Sequence, residues 1–125
     1  AISVLPNDAT LHHAKGLLLA RNQQMDAALI ALKAAAELQP EVPRNAYVYG
    51  VALNSTGNSA EAMKVLKQSF QTNPRDRETI FMIASIYRDQ GNIAQARAWA
   101  QKLLDINPAD QNATQFIESL KTTGQ

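Results

Sequence analysis

The chain has 125 residues, 46% of them hydrophobic, which suffices for one domain with a buried core. Its formal net charge is +1 and only 18% of residues are charged, so no electrostatic footprint for nucleic acid or an anionic membrane surface is present. The lack of cysteine excludes disulfides, thiolate metal sites and covalent haem attachment through a CxxCH motif, and leaves the compartment open. No stretch approaches the roughly 18 consecutive apolar residues of a membrane span. The chain starts without Met and shows no signal peptide, as expected of an excised or processed piece.

Pro6, Pro40, Pro74 and Pro108 stand 34 residues apart and fix the phase of a repeated unit. Residues 1–6 come first. Ala1, Ile2 and Val4 are in phase with Leu103, Leu104 and Ile106, which reads either as the last turn of a truncated upstream repeat or as a flexible linker. The first unit, 7–40, carries Gly16 and Leu19 on one helix and Ala28, Leu32 and Ala35 on the next. It is the least regular unit, with Lys15 in an apolar column and Gln23 where later units have glycine.

In the second unit, 41–74, Ala46, Tyr49, Gly50 and Leu53 face inward from the first helix. Gly57 stops that helix, Asn58 with Glu61 forms a capping-box pattern, and Ala62, Leu66, Ser69 and Phe70 form the second inner face. The third unit, 75–108, repeats the scheme. Asp76 is the expected cap, Ile80, Ile83, Ala84, Ile86 and Tyr87 make the first stripe, and Gly91 is the stop. Asn92 with Gln95 then opens a helix bearing Ile93, Ala96, Ala100, Leu103 and Leu104, which Asn107-Pro108 ends. Residues 109–122 predict one more helix, capped by Asp110, with Phe116, Ile117 and Leu120 inward and a polar outer face. The tail is 123–125.

Small residues recur at Gly16, Gly50 and Ala84 and at Ala28, Ala62 and Ala96, where paired helices must approach closely. The combination resembles the tetratricopeptide repeat family, whose pattern is W-x2-L-G-x2-Y…A-x3-F…P. The matching stretches are Ala46-x2-Tyr49-Gly50-x2-Leu53, Ala62-x3-Leu66 and Pro74, then Ile80-x2-Ile83-Ala84-x2-Tyr87, Ala96-x3-Ala100 and Pro108. The large aromatic that opens the pattern is replaced by His12, Ala46, Ile80 and Thr114. A pentatricopeptide RNA-binding array is disfavoured by the period and by the near-neutral charge. The resemblance implies an all-α fold, a right-handed α-solenoid of three helix-turn-helix repeats plus a C-terminal capping helix, with first helices lining a concave groove.

By phase, the groove columns hold Thr10, His13, Leu17 and Arg21, then Arg44, Tyr47, Val51 and Asn54, then Glu78, Phe81, Ser85 and Arg88, with Gln115 and Ser119 last. An apolar floor of Leu17, Tyr47, Val51 and Phe81 edged by arginine suits a helical or extended apolar guest. Tyr47 and Phe81 have a second reading, as rings packed between helices. Relatives that clamp a chaperone's C-terminal carboxylate place Lys and Asn at fixed columns. Here those columns hold His13 and Leu17, then Val48, then Glu78 and Met82, which argues against that specialisation.

Other constellations carry no chemistry. Adjacent His12 and His13 project about 100° apart on a helix and do not share a metal easily. Ser, His and Asp occur in no catalytic arrangement, so no catalytic residue, metal site or cofactor is expected. Arg75, Asp76, Arg77 and Glu78 read as a solvated charge cluster. Trp99 lies on the outer face of its helix, as a convex docking point or as a cover for the joint with the last helix.

The resulting expectation is a non-enzymatic protein-protein interaction module, a scaffold or adaptor without nucleic-acid or membrane partners. The alternative is an accessory domain packing on its parent protein, or a homodimer formed through the N-terminal edge. Tyr47–Gly57 (YVYGVALNSTG) and Leu11–Leu19 also resemble stretches in the repeat tails of bacterial multihaem c-type-cytochrome-like proteins. That resemblance implies a periplasmic location with the haem-bearing part upstream; without it the expectation is cytoplasmic.

Overall fold

Asp8, Asp76 and Asp110 stand in one column of the repeat, and each opens a helix by the same device. Asp8 accepts hydrogen bonds from the backbone N–H of Thr10 and Leu11, Asp76 from Thr79, and Asp110 from Ala113. These are backbone donors that the first turn of a helix leaves without partners. The computed structural model describes residues 8–123, so the reading of residues 1–6 lies outside it. Seven helices follow one another: α1 (Ala9–Arg21), α2 (Met25–Leu38), α3 (Pro43–Ser55), α4 (Ser59–Thr72), α5 (Arg77–Asp89), α6 (Ile93–Ile106) and α7 (Gln111–Thr123).

The turn inside each unit is the same backbone feature three times. Gly57 and Gly91 take positive φ, 89° and 80°, and Gln23 is held at 63° in the equivalent place. Only glycine enters that region without a Cβ penalty, so the first turn is built with the same geometry and a poorer residue. Asn92 caps α6 by accepting from the Gln95 N–H at 3.3 Å. Asn58 departs from the expected capping box. Its side chain makes no cap bond to α4, and its Nδ2 donates instead to Thr56 Oγ1 at 3.1 Å.

Helices pair as α1 with α2, α3 with α4 and α5 with α6, and each pair packs on the next through α2–α3, α4–α5 and α6–α7. This is an all-α solenoid of helix-turn-helix units with α7 as the capping helix. The pairing rests on close crossings. A Cβ built on Gly16 falls 2.5 Å from Leu32 Cγ, and one on Gly50 falls 2.8 Å from Leu66 Cγ, so a leucine lies directly over each bare backbone. In the third unit the same two positions are Ala84 and Ala100, in one core cluster. The sum of sizes is held roughly constant while the split changes, as close packing requires.

The core runs along the stack. Leu32, Leu66, Ile80, Ile83, Ile86, Leu103 and Leu120 are fully buried, each contributing on the order of 1.5–3 kcal/mol of apolar burial. Charged ties join successive units. Arg77 Nε donates to Asp110 Oδ2 at 2.8 Å and its Nη2 to Oδ1 at 3.0 Å, and the paired guanidinium holds the Asp110 carboxyl below the usual carboxylate range. Arg44 reaches Glu78 at 3.2 Å on the exposed side. The 75–78 segment therefore differs from an isolated solvated cluster, because two of its charges bridge to neighbouring repeats.

Candidate partner-binding groove

The first helices place their columns side by side, and α3 also packs directly on α5. On α1, Leu17 is 39% exposed and Arg21 is exposed. His13 is half-buried, with its Nδ1 buried and without a hydrogen-bond partner. Burial first, and then the Arg44 guanidinium across on α3, push the His13 pKa below 6.5, so the ring is neutral at neutral pH. The electrostatic coupling of His13 to Arg44 ties the α1 and α3 columns together.

On α3, Arg44 is exposed and its guanidinium carbon sits 5.6 Å from the centroid of the Tyr47 ring. Tyr47, Val51 and Asn54 are half-buried. Among the described residues, Leu17, Tyr47 and Val51 are not among the side chains packed on the three core clusters. Their remaining surface faces outward.

The α5 column is different. Phe81 is half-buried and packs on two core clusters, its ring edge-on to Phe116 of α7 with centroids 5.2 Å apart. Arg77 lies over Phe81 at 5.6 Å. The Ser85 hydroxyl donates to the Phe81 carbonyl at 2.8 Å. Arg88 lies 5.2 Å from the Phe116 ring and donates to Asp89. Phe81, Ser85 and Arg88 are thus engaged within the fold, whereas Tyr47, Val51 and Leu17 keep free surface. Of the last helix's column, Gln115 and Ser119 are exposed. The two aromatic residues of the anticipated floor divide: Tyr47 stands clear of the core clusters and Phe81 joins α5 to α7. Phe116, which no groove column contained, anchors Phe81 and Arg88 together. Its signal in the sequence was only its place on the apolar face of α7.

Val48 and Met82, two of the columns where carboxylate-clamping relatives carry polar side chains, pack on the core. His12 and His13 form no metal site, and no group of three or more His, Cys, Asp or Glu able to hold a metal occurs among the described residues. No described helix is long and apolar enough to cross a membrane. Trp99 packs edge-on to Phe70 at 4.8 Å, with Lys67 and Lys102 at 6.0 Å and 5.2 Å from its ring centroid. It covers the α4–α6 joint as well as touching the cluster that includes α7 residues.

Sequence profiles described as tetratricopeptide repeat match residues 13–76 and 53–120, each more than half of the chain. No curated protein sequence matches. Among solved structures, the fold is similar to a crystal structure of MamA, with a TM-score of 0.82 and 19% identity over 97% of this chain and 72% of that one. A second MamA structure has a TM-score of 0.80, and this chain spans 65% of its length. The first repeat domain of Spaghetti (RPAP3), solved bound to the HSP90 peptide SRMEEVD, gives 0.79 at 14% identity, covering 92% of this chain and 94% of that one. The Yersinia enterocolitica type III secretion chaperone SycD, solved with a peptide of the translocator YopD, gives 0.79 at 11% identity, covering 93% and 94%. At these identities the likeness is one of fold.

Proposed function

The chain belongs to the tetratricopeptide repeat family, and on that premise we propose that it is a non-enzymatic protein-interaction module. It holds a helical or extended apolar peptide segment against its first helices. The observation that carries this reading is the row Leu17, Tyr47 and Val51. These apolar side chains keep exposed surface on neighbouring helices, edged by Arg21, Arg44 and Asn54. Aromatic and arginine side chains of this kind supply most of the energy in protein interfaces. The RPAP3 and SycD domains of similar fold were each solved holding a peptide, which supports a peptide guest here. With Val48 and Met82 committed to the core, the guest is anchored by apolar side chains rather than by a terminal carboxylate.

Peptides selected on the protein by display, then titrated against a Leu17→Ser, Tyr47→Ala variant, test the reading. Affinity should fall by about tenfold or more. The unfolding free energy should stay within about 1 kcal/mol, because neither side chain is packed on a core cluster. Equal affinity for both proteins would remove the groove from consideration.

A second reading is favoured by a different observation. Leu18 on α1 is 56% exposed, an apolar face that a second copy or a parent protein would cover. The finer possibility, a repeat tail of a multihaem cytochrome-like protein, rests on the sequence stretches 11–19 and 47–57 alone.

A further inference from the structure

The joint formed by α4, α5 and α6 is filled by aromatic rings, and the equivalent joint one repeat earlier is not. Phe70 and Trp99 pack at 4.8 Å with an interplanar angle of 73°, resting on the cluster of Ile80 and Leu103. One period earlier these four positions are Ala36, Val65, Ala46 and Ser69, each a smaller side chain. All four line a surface cavity of about 560 Å³ between α2, α3 and α4. Tyr49, larger than its counterpart Ile83, does not close that space. The cavity is therefore the site of a missing ring pair.

Two independent features say what fits it. Ser69 is 5% exposed, and its Oγ is buried without a hydrogen-bond partner, a cost of about 1–3 kcal/mol that a docked polar hydrogen would relieve. Lys33, on the rim, occupies the position of Lys67, whose ammonium lies 6.0 Å from the Trp99 ring centroid in the filled joint. The rim charges are balanced, Lys33 and Lys64 against Glu37 and Glu61, which favours a neutral guest. A large apolar ring with a single N–H donor meets all of these conditions.

We propose that the cavity between α2, α3 and α4 is a socket for the indole of a tryptophan carried by a partner protein segment. The ring enters the space that Phe70 and Trp99 fill one repeat later. Its N–H donates to Ser69 Oγ, and Lys33 lies over its face. The socket belongs to the joint with the second helices and is separate from the Leu17, Tyr47 and Val51 row, so the two readings stand or fall separately.

The test titrates isotope-labelled protein with the capped peptide Ala-Ala-Trp-Ala-Ala and with its leucine counterpart, following backbone amide shifts. Saturable shifts at Ala36, Val65 and Ser69 with the tryptophan peptide alone are expected, and Ser69→Ala should weaken binding by about fivefold. Ala36→Phe with Val65→Trp rebuilds the ring pair of the next joint; it should raise the Tm and abolish the shifts. Shifts confined to Tyr47 and Val51, equal response to both peptides, or no saturable shift would overturn the proposal. A lowered Tm in the filled variant would also overturn it, by showing that the space does not admit rings.

Discussion

Gly50 and Leu66 show how far a single residue's size is dictated by its partner across a helix crossing. A methyl group at Gly50 would sit 2.8 Å from Leu66 Cγ and Cδ2, closer than ordinary contact permits, so one of the helices must move. Gly50→Ala should cost about 1–3 kcal/mol, the usual range for overpacking. Leu66→Ala alone should cost about 2–5 kcal/mol through the cavity it leaves. The double variant recreates the Ala84 and Ala100 pairing of the third unit, and should cost less than the sum of the singles by at least about 0.5 kcal/mol. Urea unfolding of the three variants checks this, and strict additivity would show that the crossings relax independently. The same logic was readable from sequence as a column of small residues. Which leucine each glycine accommodates was not, because partners across a crossing are set by the approach of two axes.

At the scale of the element, three of four helices in one column are opened by aspartate and the fourth by Val42. The backbone at Val42, φ −96° and ψ 103°, is in the same extended region as Asp8 and Asp76, yet no side chain accepts from the first turn of α3. Pro43 partly compensates by pre-setting the first helical residue and removing one orphan donor. Val42→Asp should therefore raise the unfolding free energy by about 1 kcal/mol, the usual worth of a cap. A thermal melt checks it, and an unchanged or lower Tm would mean that the apolar packing of Val42 outweighs capping. The aspartate caps were legible as residue types ahead of apolar periodicity. The failure of Asn58 to cap α4 was not, since Thr56 competes for its side chain only once the turn has closed.

Across the whole molecule the exposure of one column reports the stacking direction. Leu18, Ala52, Ile86 and Leu120 are equivalent positions, exposed by 56%, 7%, 1% and 0%. In the later units this column belongs to a helix that packs on the preceding unit's second helix, and α1 is the first helix described. Leu18→Lys should change the unfolding free energy by no more than about 0.5 kcal/mol, as surface substitutions do, whereas Ile86→Lys should cost more than about 4 kcal/mol. A concentration-dependent mass in light scattering that Leu18→Lys abolishes would instead show a second copy covering this face.

The sequence by itself determined the repeat, its phase, the helix stops and the inward columns, because each of these follows from local rules. Prolines cannot continue a helix, positive φ favours glycine, and a period of 3.6 aligns apolar residues on one face. Tertiary structure alone decided what each column meets. Tyr47 and Phe81 hold the same position in successive repeats, yet Phe81 packs on Phe116 while Tyr47 stands outside the core clusters with Arg44 over its ring. Ala36 and Phe70 likewise share a column, and one lines a cavity while the other packs edge-on to Trp99. A repeat fixes where a side chain is placed; the volumes of neighbouring units decide whether that place is filled.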